Sequence, residues 1–169
     1  AVHAHDWLTP TDGLGDEALY LADLLTRLAP DQPEGVGLAA LIAFGYTRRN
    51  ARAPDGVLIP PQEQDLMLWD DRLARYGARQ LRRAHAMGAP GRFQIEAAIQ
   101  SVHIDRKRTG RTDWDALDKL YVALVQVAPS AGAIAAQAVV SAQVRGPLAG
   151  LDALDALAAE TGPGFQPLW

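Results

Sequence analysis

Short turns rich in proline and glycine divide the chain into segments whose apolar residues recur three and four positions apart. That spacing places the apolar residues of each segment on one face of a helix. Only the turn at residues 51–62 is long, and it holds the strongest turn signals, Pro54-Asp55-Gly56 and Pro60-Pro61. A chain built in this way is expected to pack its helices in successive antiparallel hairpins.

The composition agrees with an all-α fold. Alanine is abundant, and aromatic residues make up only 7% of the 169 residues. Small side chains let helices approach closely, whereas the β-branched and aromatic residues that strands prefer are few and scattered. The length suffices for one helical domain with a substantial core. We therefore predict an all-α chain of about seven helices.

The predicted helices can be placed from their apolar stripes and from the residues that end them. Residues 1–14 are predicted to be a lead-in segment from a missing N-terminal region, followed by a single helical-repeat domain over residues 15–169. Trp69 and Trp114 lie at periodic positions and are expected in the core. Thr112, with Asp115 three residues later, resembles a capping box. The predicted helices span residues 15–29, 33–49, 63 or 70 to 86, 90–106, 113–128, 130–144 and 147–160.

A weak internal repeat favours one arrangement of these helices. Tetratricopeptide repeats place small residues at fixed positions of a helix and a proline a few residues after it. Three stretches follow this spacing in whole or in part: Ala18, Ala22, Leu25 and Pro30; Tyr121, Leu124 and Pro129; Ala149, Ala153 and Ala156. The repeat favours stacked hairpins, a tetratricopeptide-like α-solenoid, over an up-and-down four-helix bundle. Residues 162–169 resemble the opening of a further helix, so we expect truncation at the C-terminus.

The charge distribution argues against broad binding of nucleic acid. The net charge is −4, whereas phosphate-driven binding relies on clustered Lys and Arg. Three local basic runs nevertheless leave two interpretations open. Each run could bind nucleic acid or an acidic partner, or it could pair with nearby acids and form a solvated helix face, which the acidic total favours. The runs are Arg48, Arg49 and Arg52; Arg79, Arg82 and Arg83; and Arg106, Lys107, Arg108 and Arg111.

The sequence also indicates a compartment. It has no cysteine, which excludes disulfides and thiolate chemistry. No charged and then apolar leader opens it. The longest apolar stretch, residues 131–144, is interrupted by polar side chains and is too short to span a bilayer. We expect a soluble, cytoplasmic protein with no membrane partner.

No catalytic or metal-binding motif is complete. A glycine-rich phosphate loop, a Glu-x-x-His pair and a serine nucleophile elbow are all lacking. His3 and His5 could bind a metal beside Asp6, and His103 with Asp105 could form a general-base pair, although these two point in different directions on a helix. We predict no catalytic residue, no cofactor and no metal site. A small metal-dependent enzyme is the least favoured alternative.

Charged side chains flank the long loop on both sides. Arg48, Arg49 and Arg52 precede it, and a group of carboxylates follows it: Glu63, Asp65, Asp70 and Asp71. The carboxylates could attract a divalent ion. The favoured alternative is a structural polar clamp in which Asp65 and Asp70 pair with the three arginines, because the planar guanidinium suits half-buried carboxylate pairs.

The order and spacing of the sequence's most distinctive pieces resemble the C-terminal extension of a group of extracytoplasmic-function (ECF) sigma factors. Two stretches depart from that family's pattern. Gly45-Tyr46-Thr47 stands where the family favours His-Asp before paired arginines, and Ala136-Gln137-Ala138 stands where it favours Leu-Asn-Arg. The matching pieces include Pro33-Glu34, Arg48-Arg49-x-Ala51-Arg52, Gln64-Asp65 with Trp69-Asp70, Gly91-x-Phe93-Gln94 with Ala97-Ala98-Ile99, Thr112-Asp113-Trp114, and Gly146-Pro147-x-Ala149-Gly150-Leu151.

The resemblance implies a regulatory, protein-interaction domain that acts in transcription initiation without chemistry of its own. Its partners would be the sigma domains of the full-length protein or RNA polymerase, and promoter DNA only through domains absent here. Stacked hairpins offer a groove suited to a peptide or helix, and its predicted lining includes Arg48, Gln94, Gln137 and Ser141. A homodimer through the C-terminal apolar face is a further expectation. The alternative is a free-standing tetratricopeptide-like adaptor protein.

Overall fold

The computed structural model describes residues 14–53, 57–61 and 63–161. Within these ranges the chain is all-α, as predicted, and contains no strand. The long loop ends in a 3-10 turn at Leu66–Leu68. The α-helices are α1 (Leu14–Leu28), α2 (Pro33–Thr47), α3 (Arg49–Arg52), α4 (Asp71–Ala86), α5 (Arg92–Thr109), α6 (Trp114–Val127), α7 (Ala131–Arg145) and α8 (Pro147–Thr161). The helix that the sequence did not predict is α3, a single turn that continues the chain beyond α2.

The chain divides into two compact units after Thr112. The described residues 14–112, with α1 to α5, are called the N-terminal unit, and residues 113–161, with α6 to α8, the C-terminal unit. Each unit is described by itself, so the single repeat domain over residues 15–169 stays a prediction. The predicted lead-in segment, apart from Leu14, and the predicted opening of a further helix at residues 162–169 lie outside the described residues.

Helix α2 is the centre of the N-terminal unit and packs against α1, α4 and α5. Between Gly35 and Gly45 its residues are all apolar or glycine, which is the pattern of a helix buried all round. Phe44 is 1% exposed and forms the core with Ala40 and Ala97. The buried residues of α2 are Val36, Gly37, Ala39, Ala40, Ala43, Phe44 and Thr47.

Two glycines let neighbouring helices approach α2 closely. A Cβ atom at Gly77 of α4 would lie 2.8 Å from the Phe44 ring. A Cβ atom at Gly37 of α2 would lie 2.7 Å from Cγ of Gln94 on α5. Both separations are too short for carbon atoms, because well-packed carbons lie about 3.5–4.0 Å apart. A larger residue at Gly77 would displace the Phe44 ring, and a larger residue at Gly37 would displace Gln94.

Main-chain bonds hold the described part of the long loop against the ends of α2 and α3. The Ile59 amide donates to the Arg52 carbonyl at 2.8 Å, and the Asp70 amide donates to the Thr47 carbonyl at 2.9 Å. The side chain of Gln64 is buried and donates from Nε2 to the Ile59 carbonyl at 2.8 Å. Trp69 is 4% exposed, which confirms its predicted burial, whereas Trp114 is only half-buried.

The C-terminal unit consists of α6 packed on α7 and α7 packed on α8. The side chain of Asp113 caps α6, since its Oδ1 accepts from the Ala116 amide at 2.9 Å. The cap therefore falls one residue after the predicted Thr112. Ser130 caps α7 by accepting from the Ala133 amide at 3.1 Å. Leu117 and Leu124 are buried within this unit.

Among the described helices, none combines the length and the apolar character that crossing a membrane requires.

Candidate functional site

Arg48 directly follows the last residue of α2, and its side chain points toward α5 rather than toward solvent. Arg48 donates from Nη2 to Oε1 of Gln100 at 2.5 Å. Its Nε is buried without a hydrogen-bond partner among the described residues. Burial, together with the positive charges of Arg52 and Arg106, lowers the pKa of Arg48 to about 10. Arg48 is therefore a desolvated cation with one neutral partner.

Helix α5 presents a row of polar side chains to this arginine. Gln100, His103 and Arg106 follow one another at three-residue spacing, which places them along one side of the helix. Burial lowers the pKa of His103 to about 4, with further contributions from the charges of Arg48 and Arg106. His103 is consequently a neutral imidazole at physiological pH, with one N–H donor and one acceptor nitrogen.

The same face of α5 meets the buried tryptophan of the loop. The guanidinium carbon of Arg106 lies 5.9 Å from the centroid of the Trp69 ring. Lys107 donates from Nζ to Oδ1 of Asp71 at 2.6 Å and to the Trp69 carbonyl at 3.4 Å. The indole N–H of Trp69 is buried and has no hydrogen-bond partner in the described part of the chain. These contacts fix the loop to the C-terminal half of α5.

We name the arginine cluster by its five members: Arg48, Arg52, Gln100, His103 and Arg106. All five are half-buried. Burial also lowers the pKa of Arg52. Within the described residues, no salt bridge reaches Arg48 or Arg52. The cluster thus gathers guanidinium groups beside a neutral imidazole and an amide, at the meeting point of α2, α3 and α5.

The predicted clamp between arginines and aspartates is not formed, and local capping explains why. Oδ1 of Asp65 accepts from the Met67 amide at 2.8 Å, and Oδ1 of Asp70 accepts from the amides of Arg72 at 2.8 Å and Leu73 at 3.1 Å. A short carboxylate at the start of a helix satisfies free amides of its own first turn. The two aspartates therefore face their own helical turns and not the arginines across the loop.

The arginines of the predicted clamp have other surroundings. Arg49 pairs with Asp16 of α1 at 3.0 Å, with its guanidinium 4.8 Å from the centroid of the Tyr46 ring. Arg48 and Arg52 belong to the arginine cluster. What holds the loop is the set of main-chain bonds and the buried Trp69 described above, so the sequence predicted a restrained loop but assigned the wrong contacts.

The four residues of the predicted groove lie in different units. Arg48 and Gln94 belong to the N-terminal unit, and Gln137 and Ser141 belong to the C-terminal unit, so a common groove stays a prediction. Gln94 is 4% exposed and Ser141 is 7% exposed. This burial corrects the expectation that these two side chains line an open surface. Ser141 accepts from Nη1 of Arg145 at 2.7 Å, and Gln137 is half-buried.

Gln94 instead takes part in a set of hydrogen bonds between α2 and α5 that the sequence did not predict. Glu34, in the first turn of α2, accepts from the Phe93 amide at 2.8 Å, from the Gln94 amide at 3.3 Å and from Gln94 Nε2 at 3.1 Å. Gln94 Nε2 also donates to the Ala89 carbonyl at 2.7 Å. A side chain 59 residues away in sequence thereby caps α5.

Gly91 makes this distant cap sterically feasible. A Cβ atom at Gly91 would lie 2.4 Å from Cδ of Glu34, so only glycine leaves room for the carboxylate. The sequence carries a signal, because Gly91 precedes a strongly helical segment and brings no capping side chain of its own. We call Glu34, Gly91, Phe93 and Gln94 the α5 cap.

Within the described residues, the histidines and carboxylates considered above do not form a general-base pair or a metal site. Asp105 pairs with Arg108 at 2.8 Å rather than with His103. No group of three or more His, Asp or Glu side chains suited to a metal ion occurs in residues 14–53, 57–61 and 63–161. His3 and His5 lie outside the described ranges.

Comparison with known proteins adds family information. A family of unknown function, DUF6596, matches residues 5–85. An uncharacterized protein of Rhizobium meliloti is 35% identical over 145 residues, which cover 85% of this chain and 34% of the relative. The chain thus spans about a third of the length of this curated relative. No solved structure is significantly similar. Over residues 5–85 the chain is similar to DUF6596.

Proposed function

We propose that this chain is the C-terminal regulatory and protein-interaction domain of an ECF-type sigma factor and acts in transcription initiation. The observation that carries the proposal is the pairing of two motif pieces on which the resemblance depends. Pro33-Glu34 and Gly91-x-Phe93-Gln94 lie far apart in the sequence, yet Glu34 caps α5 at Phe93 and Gln94. The resembling pieces are therefore parts of one structural unit, which supports a shared fold.

The length relationship supports a role within a larger protein. The chain corresponds to 34% of its Rhizobium meliloti relative. A segment of this size is expected to act together with the other domains of its polypeptide. In the proposed sigma factor those domains bind RNA polymerase and read the promoter, while the present chain contacts them or the polymerase.

Helix α1 offers a surface for such a contact. Leu14, Leu21, Leu25 and Leu28 fall within a narrow stripe on one side of the helix, and all four are exposed. Leu28 is 75% exposed and Leu21 is 53% exposed. In the resembling family the sigma domains precede the extension, so of the described helices α1 is the one that lies nearest to them along the chain. The proposed occupant of the leucine stripe is therefore the sigma region of the same polypeptide.

The test compares two variants of the full-length native protein in a transcription assay with core RNA polymerase. The double variant Leu21→Ser with Leu28→Ser is expected to lower promoter-dependent transcript yield by about fivefold or more, because it removes the apolar contact. The control is Val139→Ser on α7, which changes an apolar residue that is 54% exposed in the C-terminal unit.

Equal yields from both variants and the native protein would contradict the assignment of the leucine stripe. If the native protein carries no sigma domains and does not bind the polymerase, the sigma-factor proposal fails and the free-standing adaptor takes its place.

A further inference from the structure

Helix α4 carries a straight row of arginines along its solvent-facing side. Successive members of the row are three, four and three positions apart, which places them within one narrow strip of the helix surface. All of them are exposed. We call this row the arginine stripe, and its members are Arg72, Arg75, Arg79 and Arg82.

The arginine stripe forms no salt bridge within the described residues. The acidic residue of α4 is Asp71, one turn before Arg75, and it accepts a hydrogen bond from Lys107 at 2.6 Å. That bond holds the pKa of Asp71 below its ordinary value, and the charge of Arg75 adds a smaller contribution. The guanidinium carbon of Arg79 lies 5.9 Å from the centroid of the Tyr76 ring. The stripe thus keeps most of its charge available at the surface.

The positions of these arginines do not favour the helix itself. Like charges one turn apart on a helix repel each other, as Arg75 and Arg79 do. Arg72 lies in the first turn, where the helix dipole favours acidic residues. The neighbouring Arg83 has a partner in the fold, since it donates from Nη2 to the Pro30 carbonyl at 2.8 Å. The stripe therefore adds little to the stability of α4, which suggests a role in contact with another molecule.

We infer that the arginine stripe is a docking surface for an acidic helix of a partner protein. The stripe extends along about 15 Å of α4, since each residue of a helix adds about 1.5 Å. A partner helix with Asp or Glu at the same spacing presents its carboxylates at matching intervals. The planar guanidinium can bind each carboxylate through two parallel hydrogen bonds. The inference is independent of the proposed function, which assigns the domains of the same polypeptide to the leucine stripe of α1.

Charge and size favour a helix over a nucleic-acid duplex as the partner. The chain has a net charge of −4, and the exposed carboxylates of Asp65, Asp70 and Asp71 directly precede the stripe in the sequence. A DNA duplex carries one phosphate per about 1.7 Å of its axis and continues in both directions, so it would bring further phosphates toward these carboxylates. A helix of three or four turns can end before them.

Binding of two synthetic peptides to the full-length native protein, followed by fluorescence anisotropy, tests the inference. Both peptides are rich in alanine, have the same composition and contain about 20 residues, which is long enough for a helix in water. The glutamates of the first peptide follow the spacing of the arginine stripe, and those of the second are spread around the helix. Circular dichroism establishes that their helicities match. The first peptide is expected to bind about fivefold more tightly or better, because only its carboxylates can face all the arginines at once.

The variant Arg79→Glu, in the middle of the stripe, separates binding from folding. It replaces an attraction with a repulsion, so the affinity for the first peptide should fall about tenfold or more. In the free protein the new carboxylate lies one turn from Arg75 and from Arg83, so the unfolding temperature should rise by about 1 to 3 °C. Lys119→Glu makes the same change of charge at an exposed position of α6 and should leave the affinity within about twofold.

The inference is overturned if the two peptides bind with equal affinity, or if neither binds at millimolar concentration. It is also overturned if Lys119→Glu weakens binding as much as Arg79→Glu, since the effect would then reflect net charge alone. Binding of duplex DNA that Arg79→Glu abolishes, without binding of either peptide, would likewise reject the acidic helix and return the arginines to the nucleic-acid interpretation.

Discussion

The two units of this chain are built on different principles. In the N-terminal unit, side chains join elements that lie far apart in sequence, as in the bonds from Glu34 to Phe93, from Tyr76 to Asp23 at 2.9 Å and from Arg83 to the Pro30 carbonyl at 2.8 Å. In the C-terminal unit, a side-chain bond between helices runs from Arg145 to Asp118 at 2.5 Å.

In the C-terminal unit, small residues let two helices pack closely against each other. A Cβ atom at Gly150 of α8 would lie 2.7 Å from Cβ of Ala142 and 2.9 Å from the Ala138 carbonyl oxygen. Close helix packing of this kind requires small side chains, but several small residues can satisfy it. A hydrogen bond between two side chains requires a particular donor and a particular acceptor.

Removal of the α5 cap is expected to cause the largest loss of stability, and the loss should be confined to the N-terminal unit. Glu34→Ala leaves two amides of α5 without their acceptor and removes one of the two acceptors of Gln94 Nε2, so we expect a loss of about 3 kcal/mol in the free energy of unfolding. Urea unfolding measures the loss. Hydrogen exchange should show lower protection in α5 and unchanged protection in α6 to α8.

Glu17→Ala is the matched control for the cap, because Glu17 is an exposed acid in the first turn of α1. Its expected loss is about 0.5 kcal/mol or less. Equal losses for Glu34→Ala and Glu17→Ala would show that Glu34 acts only through the helix dipole.

The close packing of the C-terminal unit can be tested at Gly150. Gly150→Ala places a methyl group against the backbone of α7, and we expect a loss of about 2 kcal/mol. Gly132→Ala on α7 is the control, since a Cβ atom there meets no other atom within 4 Å. Its effect should stay within about 0.5 kcal/mol. Thermal unfolding of both variants measures these effects. A Gly150→Ala protein as stable as the native protein would contradict the close packing of α7 and α8.

The arginine cluster should make the stability of the N-terminal unit depend on pH. The pKa of His103 is lowered to about 4 in the folded chain from an ordinary value of 6.5. Between these values the unfolded chain binds a proton that the folded chain does not. The stability contributed by neutral His103 is therefore full above pH 6.5 and is lost as the pH falls toward 4.

Replacing this histidine isolates its share of the pH dependence. We expect the native protein to lose about 1 to 2 kcal/mol more than His103→Gln over this pH window, a value reduced from the full shift because the ring is half-buried. Denaturant unfolding at several pH values gives both curves. Parallel curves for the two proteins would mean that His103 is not desolvated.

The smallest expected difference concerns the surface ion pairs of the two units. Arg145→Met leaves Asp118, whose side chain is 15% exposed, without its partner, and we expect a loss of about 1 kcal/mol. Arg49→Met breaks a pair with Asp16, whose side chain is 71% exposed, and should cost about 0.3 kcal/mol. Urea unfolding in low and high salt measures both losses. A larger loss for Arg49→Met than for Arg145→Met would contradict the prediction.

Most of the fold could be predicted from local patterns. Periodicity and proline positions predicted every long helix, because these signals depend only on neighbouring residues. The α6 cap was misplaced by one residue, at Thr112 rather than Asp113, because both side chains can cap a helix. Helix α3 was missed because a single turn leaves no periodic pattern.

The polar contacts could be predicted much less well. The clamp prediction assumed that Asp65 and Asp70 would reach across the loop, whereas each satisfies amides of its own helical turn. The contact between Glu34 and Gln94 has no local signal, since it depends on the packing of α2 against α5. The contact between Arg48 and Gln100 likewise follows from tertiary packing, since the two residues lie 52 positions apart in the sequence.

The central proposal is that this chain is the interaction domain of an ECF-type sigma factor. The most direct measurement is promoter-dependent transcription by core RNA polymerase with the full-length native protein, compared with the same protein lacking residues 14–169. We expect a promoter-specific transcript from the full-length protein and a decrease of about tenfold or more after the deletion, a difference that corresponds to about 1.4 kcal/mol. Failure of the full-length protein to bind the polymerase, or an unchanged transcript after the deletion, would contradict the claim.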